Sequence, residues 1–305
     1  MGNNPSRPLY RENADPNVPP SLRFSRHRQM VIVTMFGKRR KYLCFSTPHS
    51  YDRFKAAGKK FGTPQNILDG GLGVPLFEFE DPYSLVRLVN GDNVRFRVSK
   101  FVLQDAAATL PHSNCSVVCQ DGKKAIYKMP FCEVTRSFGE GGRSAFEYVF
   151  YTPDGTTSVS TRKHRMCLDS DARLGEWNVG WRRTSSENYD LVVLPPQARS
   201  LLDSREVRAS KPSNTKALER NAIVWAKFED VGEPFLPKLT KKLAVVTVGE
   251  VDFETDATAY GLLGVPWFSQ VIACMALVQC QWIQQEGRNN RKNRTLSNRM
   301  SRQFN

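Results

Sequence analysis

Histidine is scarce in this chain of 305 residues, acidic side chains are outnumbered, and no apolar run is long enough to cross a bilayer. His27, His49, His112 and His164 are the only histidines, and none stands in a nucleophile or metal motif. No catalytic signature follows, so the expectation is a protein that is not an enzyme and needs no cofactor. The seven cysteines (Cys44, Cys115, Cys119, Cys132, Cys167, Cys274 and Cys280) are odd in number and scattered. That argues against a disulfide framework and for reduced, buried thiols. The start, MGNNPSRPLYRENADP, lacks the apolar core of a secretion signal, which points to a cytoplasmic protein. Near the other end, residues 265–283 contain an uninterrupted apolar run of only VIACMALV, with Gln270, Gln279 and Gln281 around it. A membrane span needs roughly 18–20 apolar residues, so this segment reads as a buried helix.

Two spacings imitate known sites. His112, Cys115, Cys119 and Cys132 fall as H-x2-C-x3-C-x12-C, which looks like zinc spacing. Cys115 and Cys119 share an apolar strand pattern, however, and residues four apart in a strand lie about 13 Å apart. Structural thiols are the better reading, and no metal is expected. Gly139, Gly141 and Gly142 cluster without the following helix that a phosphate cradle requires, so they read as a hairpin turn.

What the chain has in excess is positive charge: 44 Lys and Arg against 30 Asp and Glu, a formal net charge of +14. Residues 1–28 hold five Arg against two acids, residues 199–220 six basic residues against three, and residues 287–305 six basic residues and no acid. Most of the excess therefore lies outside the apolar segments. Residues 1–28 and 287–305 read as polar tails, and 199–220 as a basic insertion.

Between the tails, the pattern divides near residue 105. VIVTMF and KYLCFS flank the turn GKRR; a helix follows in which Tyr51, Phe54, Gly58 and Phe61 share a face; then come PLFEFE, a helical turn at YSLVRLV, and NVRFRV. This order over residues 29–104 resembles a ubiquitin-like β-grasp module of the PB1, doublecortin or Ras-association type. From 113 to 286 consecutive hairpins follow, marked by Asp121-Gly122 and Pro153-Asp154-Gly155, and the apolar helix closes the series. AIVWAKF, KLAVVTVGEVDF and WFSQVIACMALVQCQWIQQE are similar to the tubby C-terminal-like group, which includes LURP-one-related proteins and phospholipid scramblases. That resemblance implies an antiparallel barrel or sandwich holding the helix. The expected fold class is thus α+β, a β-grasp domain joined to an antiparallel β domain with a C-terminal hydrophobic helix.

The functional expectation follows from charge placement. Met1 to Ser6 match the myristoylation pattern with Gly2 as acceptor. One acyl chain holds a membrane only marginally, and a polybasic segment supplies the second signal. Arg288, Arg291, Lys292, Arg294, Arg299 and Arg302 form such a segment, suited to anionic phospholipid. The reading is a non-enzymatic adaptor at an anionic membrane, meeting an unknown protein partner through the ubiquitin-like module. The alternative is a nuclear or nucleic-acid-associated protein that uses its basic tails, and the third reading is an enzyme of unrecognised type.

Overall fold

Apolar residues at every second position recur through most of the chain, the pattern of strands with one face in a core. The computed structural model describes residues 18–35, 41–80, 94–107, 114–138, 144–163, 169–185, 188–198, 200–203, 222–231, 240–251, 262 and 264–280. Thirteen strands form one sheet: β1 (Arg26–Met35), β2 (Lys41–Phe45), β3 (Phe77–Glu80), β4 (Val94–Asp105), β5 (Ser116–Gln120), β6 (Lys124–Phe138), β7 (Ser144–Thr152), β8 (Gly155–Lys163), β9 (Ser170–Leu174), β10 (Trp177–Arg183), β11 (Tyr189–Val193), β12 (Val224–Asp230) and β13 (Thr240–Glu250). Neighbours run antiparallel in the order β4-β3-β2-β1-β13-β12-β11-β10-β9-β8-β7-β6-β5. β4 also pairs with β6, from Val94 opposite Thr135 to Asp105 opposite Lys124. That second pairing closes twelve strands into a barrel and leaves β5 outside the ring, bonded to the first half of β6.

The barrel is mostly β, not α+β, and the expected β-grasp domain is corrected accordingly. Strands β1 to β4 do form the anticipated hairpin and strand sequence. Their outer edges, however, go into the ring: β1 pairs with β13 from Arg26 opposite Glu250 to Met35 opposite Thr240, and β4 pairs with β6. A hairpin, a helix and two strands look the same in sequence whichever distant edge they later meet. The helical turn read at 83–89 lies outside the described residues, as does most of the basic insertion at 199–220.

About eight strands make a barrel that side chains alone can fill; twelve leave a lumen that needs an insert. The insert is helix α3, described over residues 267–280. Every residue from Ser269 to Cys280 is buried. A helix apolar nearly all round must be enclosed, and inward side chains from all sides meet it: Met30 and Ile32, Phe77 and Phe79, Val134, Tyr148, Trp181, Phe228 and Val246 belong to the same core. Outward-facing Val31, Val33, Leu43 and Phe45 form a second cluster under helix α1 (Pro48–Ala56) through Tyr51 and Phe54. Thr47 caps α1 by accepting from the Ser50 N–H at 3.1 Å. A short helix, α2 (Pro64–Leu68), follows it. Among the described residues no helix is long and apolar enough to cross a membrane.

Buried charges fasten this arrangement. Glu250, at the end of β13, accepts from Arg26 Nε at 3.0 Å, from Arg28 Nε at 2.8 Å and from Ser269 Oγ, in the first turn of α3, at 2.8 Å. Arg28 also donates to the Gly264 carbonyl at 2.8 Å. One carboxylate thus joins β1, β13 and the helix entrance, near the positive end of the helix dipole. On the barrel's outside, Glu78 pairs with Lys128 and with Lys41, the latter at 2.7 Å. Arg182 pairs with buried Asp171 at 2.7 Å, and Gly180 leaves the space for it. A Cβ there would stand 2.3 Å from the Arg182 guanidinium.

Two outcomes follow. Removing one partner of a buried ion pair costs about 3–5 kcal/mol, so Glu250→Ala lowers the urea midpoint of the full chain sharply; an unchanged midpoint would show that Glu250 does not hold the helix entrance. Burial alone would push the Glu78 carboxyl up, yet its bonds to Lys128 and Lys41 hold it below the ordinary value of 4.5. Stability from Glu78 is therefore complete above pH 4.5 and is lost as pH falls below it. Glu78→Gln flattens the acid limb of the stability profile, and an identical limb in the variant counts against the pairing.

Candidate functional site

At the seam between β8 and β9 the pairing stops early. β8 and β9 pair only at Thr161 opposite Ala172, Arg162 opposite Asp171 and Lys163 opposite Ser170. Continued in the same register, the ladder would set Ser160 opposite Arg173, Val159 opposite Leu174 and Ser158 opposite Gly175. Instead these residues line facing walls of a cleft of about 550 Å³, within the size range of ligand sites. The seam opens because β9 ends after five residues while β8 runs for nine. Gly175, with φ +59°, turns the chain into β10, and a Cβ at that position would stand 3.3 Å from the Phe268 ring.

The first turn of α3 forms the floor. Trp267, Phe268 and Val271 line it, and Trp267 and Phe268 are 36% and 39% exposed while the rest of the helix is buried. Each ring is held from behind. Trp267 meets Phe131 and Phe150 edge-on at 5.9 and 5.4 Å, and Phe268 meets Trp225 at 5.3 Å. Thr157, Ser158 and Ser160 add exposed hydroxyls. Arg173 is exposed on the opposite wall and meets no carboxylate among the described residues. The arrangement offers aromatic surface, strand-edge backbone groups and one cation, a set that binds and positions. Among the described residues that line the cleft there is no acid–base pair or activated nucleophile.

A gap beside the helix, lined by Phe146, Tyr148, Thr161, Trp181, Met275 and Gln279 among others, measures about 20 Å³, room for about one water molecule. The interior thiols Cys44, Cys132 and Cys274 are buried and unpaired by disulfides. Burial pushes the Cys44 thiol up, and burial together with neighbouring Cys132 pushes Cys274 well up, against the pull of Lys100. Burial pulls the Lys100 amine down. Cys44 and Cys274 therefore stay protonated, and the thiolate is the reactive form.

Gly2, Arg288, Arg291, Lys292, Arg294, Arg299 and Arg302 lie outside the described residues, as do His112 and the glycines at 139–142. Cys119 sits half-buried in β5 and Cys132 points into the core. Among the described residues no three His, Cys, Asp or Glu side chains gather as metal ligands. Sequence reading passed over the cleft. Trp267 and Phe268 fall at the start of the segment read as a buried helix, and no motif in the sequence singles out Arg173. One signal was available: TTSVS, residues 156–160, has a single apolar side chain where a fully paired, half-buried strand alternates.

A family model described as DIA1 matches residues 25–290. Among curated proteins of Saccharomyces cerevisiae, the chain is 28% identical over 267 residues to the uncharacterized protein YOR385W, covering 84% of this chain and 86% of that one. It is 23% identical over 281 residues to protein DIA1, covering 86% and 80%, and 24% identical over 287 residues to the uncharacterized protein YNL165W, covering 84% and 69%. No solved structure matches significantly. The match runs unbroken across both segments that resembled ubiquitin-like and tubby-like modules, and with the single closed barrel it replaces both resemblances. The chain belongs to the DIA1 family.

Proposed function

We propose that this protein is a non-enzymatic adaptor that receives a partner in the cleft between β8 and β9 and attaches electrostatically to an anionic membrane surface on the cytoplasmic side. The observation that carries the adaptor reading is the cleft itself: aromatic floor, hydroxyl and strand-edge wall, one exposed arginine, beside a lumen filled by α3. Its side chains recognise and hold but supply no proton transfer or nucleophile.

The attachment rests on the tail sequence. Three of the five arginines in residues 1–28 belong to the folded body: Arg23 donates to the Val18 carbonyl at 2.8 Å, and Arg26 and Arg28 bind Glu250. In residues 1–17, Arg7 and Arg11 are matched by Glu12 and Asp15. The terminal charge of one sign is therefore that of residues 287–305, next to the described end of α3. A basic residue near an anionic leaflet contributes about 1 kcal/mol. Acylated Gly2 would add a second, separate anchor at the other terminus.

The test is flotation with vesicles of neutral lipid, with and without phosphatidylserine. Full-length protein floats with the anionic vesicles only, and deletion of residues 287–305 lowers partitioning at least about a hundredfold, since six charges contribute several kcal/mol. In cells, Gly2→Ala further reduces recruitment. Equal flotation without the tail overturns the attachment. So does a nuclear fusion protein that binds duplex DNA with a steep salt dependence while ignoring vesicles, which is the outcome of the nucleic-acid reading.

A further inference from the structure

Strands β6 and β8 both run past a paired neighbour, and the chain treats the two overhangs differently. β6 runs for 15 residues, but β7 pairs only with its second half, from Cys132 to Phe138. The edge left over beside its first half is filled by β5, which pairs Ser116 with Lys128 and Gln120 with Ala125. β8 overhangs β9 in the same way. Its residues Thr156–Ser160 pair with β7 on one side, and no described strand pairs with them on the other. Successive residues of a strand direct their N–H and C=O groups to opposite sides. Half of these backbone groups therefore face the cleft. Across it, Arg173 and Leu174 pair with β10 through Asn178 and Trp177 and present their other edge to the same space.

We infer that this seam is a strand-addition site for an extended acidic peptide of a partner protein, a reading that rests on the proposed adaptor role and names its partner's chemistry. Four residues of extended chain cover about 13 Å, the length of Thr157–Ser160. Backbone bonds to β8 supply affinity that depends little on sequence, and pockets for alternate side chains supply selectivity. One apolar side chain of the peptide rests on Trp267 and Phe268, and a carboxylate meets Arg173. The wall hydroxyls of Thr157, Ser158 and Ser160 suit a polar rim. Charge argues against the chain's own next segment as the occupant. Residues 204–221, which begin just beyond Leu202 on the cleft wall, hold five basic residues against two acids and so match Arg173 in sign.

The experiment selects binders to the full-length protein from a random linear hexapeptide library and measures the enriched peptides by fluorescence polarisation. Selected peptides carry an acidic residue and an apolar one, bind wild type, and slow amide exchange in residues 155–163 when bound. Arg173→Glu, an exposed substitution that leaves the core intact, weakens them at least tenfold. Exchanging the peptide's acid for Lys restores binding to that variant. Proline at alternate peptide positions, which removes the ladder N–H groups, abolishes binding. Failure to select any peptide overturns the inference, as does selection of peptides that leave 155–163 unprotected or bind Arg173→Glu equally well. A long-chain fatty acid that binds the cleft where no peptide does would likewise overturn it. Vesicle flotation unchanged in Arg173→Glu separates a failure of this site from a failure of the membrane attachment.

Discussion

A helix without a polar face imposes the organisation of this protein. From Ser269 to Cys280 the helix meets core on every side, and a single sheet packed against it would leave half of that surface in water. At about 25 cal/mol per Å² of apolar area, exposure on that scale outweighs the few kcal/mol by which a domain is stable. Enclosure in turn requires a ring wider than side chains can fill by themselves. Twelve strands and one helix therefore specify each other: the ring without its insert has a hollow lumen, and the insert without its ring has no solvent-compatible face. The contact of β1 with β13 joins strands more than 200 residues apart in sequence, so both ends of the chain must be present before the core exists.

The helix must also enter the ring somewhere, and the entrance concentrates the irregular features. Glu250 joins two strands to Ser269. Gly249 lets the Phe24 ring approach where a Cβ would stand 2.6 Å away, and Phe24 stacks on Trp225 at 6.0 Å. Trp225 in turn meets Phe268. The exposed aromatic floor of the cleft is thus the continuation of the core's own packing. Its rings are placed by residues that the fold requires, which makes the cleft a preorganised surface and lowers the ordering cost of binding.

The local structure was legible where one residue type or one period decides it. VIVTMF, KYLCFS and NVRFRV fall in β1, β2 and β4, Thr47 caps α1, and Asp121-Gly122 turns β5 into β6, with Gly122 at φ +90°. What escaped was the choice of partner edge. Strand β1 offers two edges with the same alternation. Nothing in residues 29–104 says that one of them meets β13, more than 200 residues on. The β-grasp reading closed these strands on themselves because local order is all that a pattern contains. The cleft escaped for a related reason. It is created by the difference in length between β8 and β9, and the end of β9 is set by Gly175, which reads in sequence as an ordinary turn glycine.

The excess of positive charge takes a different meaning once the pairs are placed. Arg26 and Arg28 are consumed by Glu250, Lys41 and Lys128 by Glu78, Arg182 by Asp171, and Arg53 by Asp69 at 2.8 Å. Several of these carboxylates are nearly inaccessible, so the pairs act as internal fastenings and contribute little to the field outside. A cation can recruit an external partner only if the fold has not already neutralised it. On the described surface Arg173 meets that condition beside an aromatic floor. In the sequence, residues 287–305 hold six basic residues and no acid. The two sites call for different partners. One guanidinium in a shaped cleft selects a single carboxylate by position, whereas six charges on a tail respond to the density of negative charge and are screened by salt. Under the proposed function, recognition and attachment can be varied independently, because Arg173 and residues 287–305 are separate segments of the sequence.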